Sequence, residues 1–340
     1  MSNPPKGFDI KDECSGLPIF TTKFDLLTTV DDPIAVKLNR LPFQHFWRKF
    51  LQIKTCFVGT TVSEYTLFPQ DILPAKLIND IKNSLAHLYP LLIIKDIPKS
   101  SPLLDSQANT FSNDLIESLK QENFILVSGQ ALAWLPIDFQ DIPEYLARLS
   151  SARRKDMRRK LKKSTEINIQ ILKTGDKCFY DEQFLNIYYK LYLNVYDQSE
   201  IHFDLLSKEF FTALLQDRFA QGIVFNYKIN DQLIGYNICY VVEETLMDKY
   251  VGFDYPMARN YNLYYISWFH NLNYALEHGL KRYIAGWTDP EIKAYLGAQF
   301  TLTQHAVYVR NPVLRTMLRR ISQYFEKDQN TLKSIAKNHE

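Results

Sequence analysis

Only 11 of the 340 residues are glycine, about 3% where globular proteins average ~7%. Glycine supplies positive φ angles and the close backbone approach that phosphate cradles need. A chain this poor in it is a weak candidate for folds built on repeated tight turns or glycine-rich nucleotide loops. Aromatic residues are plentiful instead, with 22 Phe and 21 Tyr, which suits large buried sheets or a stacking groove. Apolar residues at 46% and charged residues at 23% exclude global disorder. The length fits two ordinary domains or one large two-part domain.

The four cysteines, Cys14, Cys56, Cys178 and Cys239, are far apart and form no CxxC pair. That spacing argues against a zinc site or a disulfide framework and fits a reducing compartment. The opening MSNPPKGFDI lacks the layout of a signal peptide. Apolar runs such as Pro90 to Ile94 fall far short of the ~20 residues that span a bilayer. A cytoplasmic protein without a transmembrane segment is the expectation, with the oligomeric state open.

Residues 1–25 read as an irregular arm. Thr55 to Phe68 looks like a strand or hairpin around Gly59, and Pro74 to Tyr89 like a helix with Leu77, Ile78, Ile81, Leu85 and Leu88 at helical spacing. Glu144 opens a long helix that runs to about Lys163. Three strand candidates then follow one another, Ile223–Ile229, Leu233–Val242 and Leu246–Phe253, the first two joined by the turn residues Asn230-Asp231. Asn262 caps a helix that Gly279 ends. A further strand, a short helix, a strand and a basic C-terminal helix from Val313, expected to pack on the body, complete the chain. This order implies an α+β layout, a mixed sheet flanked by helices. The first half offers a similar alternation, consistent with a duplicated fold.

The strongest local signal is RRKDMRRKLKK, Arg153 to Lys163, in which eight of eleven residues are basic. The remaining chain carries 32 basic and 37 acidic residues, so the overall +2 hides a segregated charge. On a helix, Arg154, Arg158 and Lys162 share a row. Their mutual repulsion is a cost that a bound polyanion removes. A solvated helix face explains the same run equally well.

A second signal runs from Lys249 to Phe300. One strand ends in GFD, a loop leads to a helix N-terminus, and a second strand ends in AGW. Loops after adjacent strand ends gather ligands, and a helix N-terminus favours anions. Lys293, early on a short helix, gains nothing from the macrodipole there, which favours a site role.

These residues carry a resemblance. SSARRKDMRRKLKK, GFD, the helix ending EHGL, AGW…EIKAYLG and TQHAVYV, in that order, resemble the second half of the FemAB/CelD-like branch of the GNAT acyltransferase superfamily. The resemblance covers roughly residues 140–312; residues 25–135 match only in coarse pattern. It implies two GNAT-like halves in tandem: an arm (1–25), an N-terminal half (26–140), a C-terminal acyltransferase half (141–325) with the basic helix 144–163, and a polar tail (326–340). Gly286, Lys293 and Gly297 match the branch's strand–Gly–Lys–Gly element with slightly longer spacing, and His305 matches a histidine found in part of the branch.

The implied activity is transfer of an acyl or aminoacyl group, from acyl-CoA or aminoacyl-tRNA, to a small-molecule or peptide amine, without a metal. One departure stands out. The superfamily's glycine-rich pyrophosphate loop is here Arg259-Asn260-Tyr261-Asn262-Leu263-Tyr264, with no glycine, which opposes ordinary coenzyme A binding. Arg259, Asn260 and Asn262 are the donor-binding candidates at that loop. Direct attack of an amine on a thioester or ester needs a base, oxyanion donors and an acid for the leaving group. Asp254 and His305 are base candidates and Tyr250 an acid candidate; Lys293, with Gly286, Trp287 and Asp289 beside it, would hold an acceptor carboxylate or phosphate, and Arg154 and Arg158 would meet phosphates. Asp254 before Tyr255-Pro256 is equally a turn residue, and Tyr250 one of many packing aromatics. Two other readings stand beside the enzyme: a nucleic-acid or anionic-lipid binder using the basic helix, and a degenerate GNAT fold kept for interactions.

Overall fold

The computed structural model describes residues 3–25, 52–199 and 203–321. Among these, two compact units emerge: the described residues of 3–132 with 300–321, and those of 133–299. The division thus falls near 132 rather than 140, and residues 300–321, expected in the C-terminal half, return to the first unit. Residues 26–51 of the expected N-terminal half, and the expected tail 326–340, lie outside the described residues.

In the first unit the strands run in the order β1 (Asp9–Cys14), β2 (Leu17–Asp25), β3 (Gln52–Val58), β4 (Leu91–Lys99), β11 (Gln299–Val309) and β5 (Ile125–Pro136). Residues 9–25 are therefore an antiparallel hairpin, β1 on β2, and not an irregular arm. Ser15 and Gly16, both at positive φ, make its tight turn, and Phe20 stacks on Phe8 at 4.9 Å and on Phe57 of the next strand at 4.9 Å. β3 and β4 are parallel and are joined through α1 (Pro74–Leu85), so Thr55–Phe68 is one strand plus a loop rather than a hairpin. Leu77, Ile78 and Ile81 of α1 and Phe111, Leu115 and Leu119 of α2 (Ser106–Gln121) bury one sheet face, with Leu92 and Ile94 beneath them.

The second unit orders its strands β5, β10 (Arg282–Gly286), β9 (Thr245–Phe253), β8 (Gln232–Val242), β7 (Ile223–Ile229) and β6 (Asn168–Lys173). β9 and β10 are its parallel pair; the other neighbours are antiparallel. Asn230 and Asp231, both at positive φ, make the tight β7–β8 turn that the sequence indicates. Each unit thus holds a helix-linked parallel pair beside antiparallel neighbours, the α+β arrangement expected.

The helix read as 144–163 is two helices. α3 (Ile142–Ala147) stops, and α4 (Ser151–Leu161) restarts after Ser150. Arg154 fastens the junction, donating from Nη1 to the carbonyls of Ala147 at 3.0 Å and Leu149 at 2.8 Å. Further on come α5 (Glu182–Gln198), α6 (Lys208–Gln216), α7 (Tyr255–Asn260), α8 (Leu263–Glu277) and α9 (Pro290–Leu296). α8 buries Trp268, Phe269 and Leu272 on one sheet face, with Tyr145 of α3 and Met157 of α4. α5 and α6 cover the other with Tyr188, Leu191, Phe211 and Leu215. The last described helix, α10 (Pro312–Ile321), belongs to the first unit. It leaves Val313, Leu314 and Met317 exposed instead of packing them on the body. Among the described residues no helix is long and apolar enough to cross a membrane.

Candidate active site

The polar centre of the second unit forms where the parallel pair β9/β10 ends its pairing. The last paired residues are Ile284 and Met247; β9 continues while β10 stops at Gly286. Next along β9 is Asp248. A bulge sets it opposite Cys239 while Tyr250 faces Ile238. The extra residue, Lys249, turns the strand so that Asp248 faces the layer beneath α8.

Three elements converge on its carboxylate. Oδ2 accepts from Asn237 Nδ2 of β8 at 2.7 Å, from Asn271 Nδ2 of α8 at 3.0 Å and from the Tyr283 hydroxyl of β10 at 3.2 Å. The Cys239 thiol approaches Oδ1 at 3.7 Å. Asn271 Nδ2 also reaches the Tyr283 oxygen, at 3.1 Å. Burial raises the Asp248 carboxyl to about 6, although the Asn237 amide, the Lys293 charge and the Tyr283 hydroxyl all favour its ionised form.

Lys293 of α9 is only 4% exposed. Burial lowers its ammonium to about 8, against the attraction of Asp289 and Asp248. Its ammonium forms no direct hydrogen bond or ion pair among the described residues. Gly286 lies beside it at φ +81°, a conformation that favours glycine; a Cβ there would be in ordinary contact, 3.8 Å from the Asp248 carbonyl oxygen and 4.0 Å from Lys293 Nζ. Asp248 and Lys293 therefore have pKa values drawn toward neutrality from opposite sides, the condition under which a carboxylate and an ammonium coexist as base and acid. The sequence reading missed Asp248. Its one signal is a carboxylate in the middle of the aromatic and apolar strand TLMDKYVGF.

The other expected site residues are scattered. Tyr250 projects to the opposite face of β9 and packs edge-on against Phe210 and Phe211, away from Asp248. Asp254 is the residue before α7; its amide donates to the Ile234 carbonyl at 2.9 Å, and its side chain makes no capping bond. Asp289 is exposed, at φ +54°, before α9, and Trp287 is half-buried. His305 lies in the first unit. There its Nδ1 accepts the Asp96 amide at 3.1 Å, across a bulge in the β4–β11 pairing, which leaves the proton of a neutral ring on Nε2. Of the donor-loop residues, Arg259 Nη2 donates to Gln198 Oε1 at 3.1 Å and lies over Tyr255, Asn260 accepts from Lys163 through its carbonyl, and Asn262, at φ +54°, precedes α8 without a side-chain cap.

The basic run divides into cations that pack against the protein and cations that face solvent. Arg154 is spent on the Ala147 and Leu149 carbonyls. Lys160 lies 3.5 Å from the Tyr265 ring centre and pairs with Asp156 at 2.9 Å. Burial opposes ionisation of Asp156, yet hydrogen bonds from Arg159, Lys160 and Tyr295 hold its carboxyl down at about 2. Lys155, Arg158, Arg159 and Lys162 are exposed, at i, i+3, i+4 and i+7, one continuous cationic face.

A family model described as peptidoglycan biosynthesis/recognition, FemAB-like, matches residues 85–340. The chain belongs to the FemAB-like family. No curated protein matches it. Among solved structures, FemX superposes with a TM-score of 0.53 at 11% identity, over 92% of this chain and 91% of FemX. The C-terminal domain of a putative lysylphosphatidylglycerol synthetase from Agrobacterium fabrum gives 0.49 at 10% identity, covering 78% of this chain and 79% of that one. A tandem GNAT protein from the clavulanic acid biosynthesis pathway gives 0.45 at 12%, covering 92% and 86%. The FemX likeness shows a shared fold for this FemAB-like protein. Among its described residues no group of three or more His, Cys, Asp or Glu could hold a metal.

Proposed function

We propose that this FemAB-like protein transfers an acyl or aminoacyl group to an amine acceptor at the Asp248–Lys293 site. The observation that carries the reading is the opposed pair itself: a carboxyl raised to about 6 by burial and an ammonium lowered to about 8, flanking a glycine at positive φ. In the reaction the acceptor nitrogen attacks the donor carbonyl carbon, forming a C–N bond and breaking the C–O or C–S bond. Asp248 takes the proton released from the amine. Lys293 gives a proton to the departing oxygen or sulfur, and in its charged form stabilises the oxyanion. Asn237, Asn271 and Tyr283 position the carboxylate. This assigns the base to Asp248 in place of Asp254 or His305, and the acid to Lys293 in place of Tyr250.

The donor supported best is an aminoacyl-tRNA. The exposed cations of α4 offer a phosphate-binding face, and residues 259–264 offer none of the small residues that a coenzyme A pyrophosphate needs against the backbone. Family membership favours a peptide amine of a peptidoglycan precursor as the acceptor. The test is single-turnover transfer with charged tRNA, and in parallel with acyl-CoA, onto such an amine. Transfer from the tRNA that Asp248→Asn and Lys293→Met each reduce at least about a hundredfold is the expected result. Folded protein that transfers from neither donor would leave the non-catalytic interaction reading in its place.

A further inference from the structure

α10 turns its apolar side chains to solvent. Val313, Leu314 and Met317 are 67%, 53% and 59% exposed, on adjacent rows of a 10-residue helix. Arg315 and Leu318 are the half-buried residues of the same helix. The Arg315 guanidinium lies 4.7 Å from the Tyr308 ring centre, so this side is the one that meets the body. Arg319 and Arg320 are exposed at the helix C-terminus. From Arg310 to Phe325 the sequence holds four arginines and no acidic residue.

Apolar and cationic groups together select the occupant. A nucleic acid would satisfy the arginines and leave Val313, Leu314 and Met317 in water. An apolar protein groove would bury those three and strand guanidinium groups at its rim. An anionic bilayer surface accepts both, the apolar side chains entering the headgroup–acyl boundary while the guanidinium groups bind lipid phosphates. At ten residues the helix is about 15 Å long, too short to cross a bilayer and long enough to lie in its plane. The cationic face of α4 differs in kind: its apolar residue Met157 is fully buried, so it has charge without an insertion face.

We propose that α10 is a membrane-surface helix that docks this protein on anionic phospholipid. The inference is independent of the transfer chemistry assigned to the second unit. It is tested by flotation of the full chain with vesicles of phosphatidylglycerol and phosphatidylcholine, and with phosphatidylcholine alone. Partitioning to the anionic vesicles should be at least about tenfold tighter than to the neutral ones. The double variant Leu314→Glu/Met317→Glu should lose about tenfold or more of that binding, and Arg319→Glu/Arg320→Glu a comparable part, with unchanged circular dichroism. Reversing charge at Lys155, Arg158 and Lys162 should leave it within about twofold. The proposal fails if the parent does not float with anionic vesicles, if the apolar double variant floats as well as the parent, or if the α4 variant abolishes binding. It also fails if Met317→Glu instead abolishes a concentration-dependent dimer of a chain that ignores vesicles.

Discussion

Asp248 is a carboxylate in a place where ionisation is unfavourable, and that has two measurable consequences. Activity should follow a bell-shaped pH profile, rising through about 6 as Asp248 loses its proton and falling through about 8 as Lys293 loses its own. Asp248→Asn should remove the acid limb. The second consequence concerns stability. A carboxyl whose folded pKa is raised stabilises the fold below its unfolded value near 3.8, and that contribution is lost as pH climbs to about 6. In denaturant melts from pH 4 to pH 7, the stability gap between Asp248→Asn and the parent should therefore move in the variant's favour, by ~1–2 kcal/mol for a side chain that keeps partial solvent access. The amine behaves in the mirror sense. Lys293 has a lowered folded pKa, so stability is lost as pH falls from about 10.5 toward about 8. Lys293→Met should accordingly fold at least as well as the parent at neutral pH while losing transfer activity, a separation that thermal melts and turnover assays read directly.

Among the elements, α9 is held by contacts from distant parts of the sequence. The Tyr145 hydroxyl of α3 donates to the Leu296 carbonyl at its end and accepts from Trp268 Nε1 of α8 at 3.3 Å. Tyr145→Phe leaves both partners buried and unsatisfied, and should cost about 2 kcal/mol in chemical denaturation, with a loss of activity because α9 carries Lys293. At the end of β10, before α9, Gly286→Ala meets no close atom but forces an alanine to φ +81°, a cost of about 1–2 kcal/mol. Much at this scale was legible. The tight β7–β8 turn at Asn230-Asp231 and the end of α8 at Gly279, whose φ is +65°, follow from local chemistry. The break between α3 and α4 was not legible, because helix formers continue through it and the carbonyl contacts of Arg154 appear only once the chain has turned. The pairing of β1 with β2 was legible but went unread, since the turn that joins them is the local pair Ser15-Gly16, both at positive φ.

For the whole molecule, charge and unit membership matter most. The four exposed cations of the basic run, Lys155, Arg158, Arg159 and Lys162, predict that binding to an RNA donor weakens by about a hundredfold between 50 and 200 mM salt, a slope that titration measures and that Arg158→Glu/Lys162→Glu should flatten. His305 was grouped with the catalytic half on sequence order, yet β11 carries it into the first unit, with Nδ1 committed to the Asp96 amide. His305→Gln should leave both limbs of the pH profile in place and lower stability by about 1 kcal/mol.

The sequence by itself determined the α+β class, the segregated basic run, the lysine that follows AGW and the family, because each of these is written in local order and spacing. The tertiary structure decided which side chains share a site. Asp248, Asn237, Asn271 and Tyr283 come from β9, β8, α8 and β10, and only strand pairing, one bulge and a helix crossing bring them together. The same pairing sends Tyr250 to the far face and His305 to the other unit. Strand register and bulges depend on long-range contacts, and a one-residue shift in register inverts every side chain that follows.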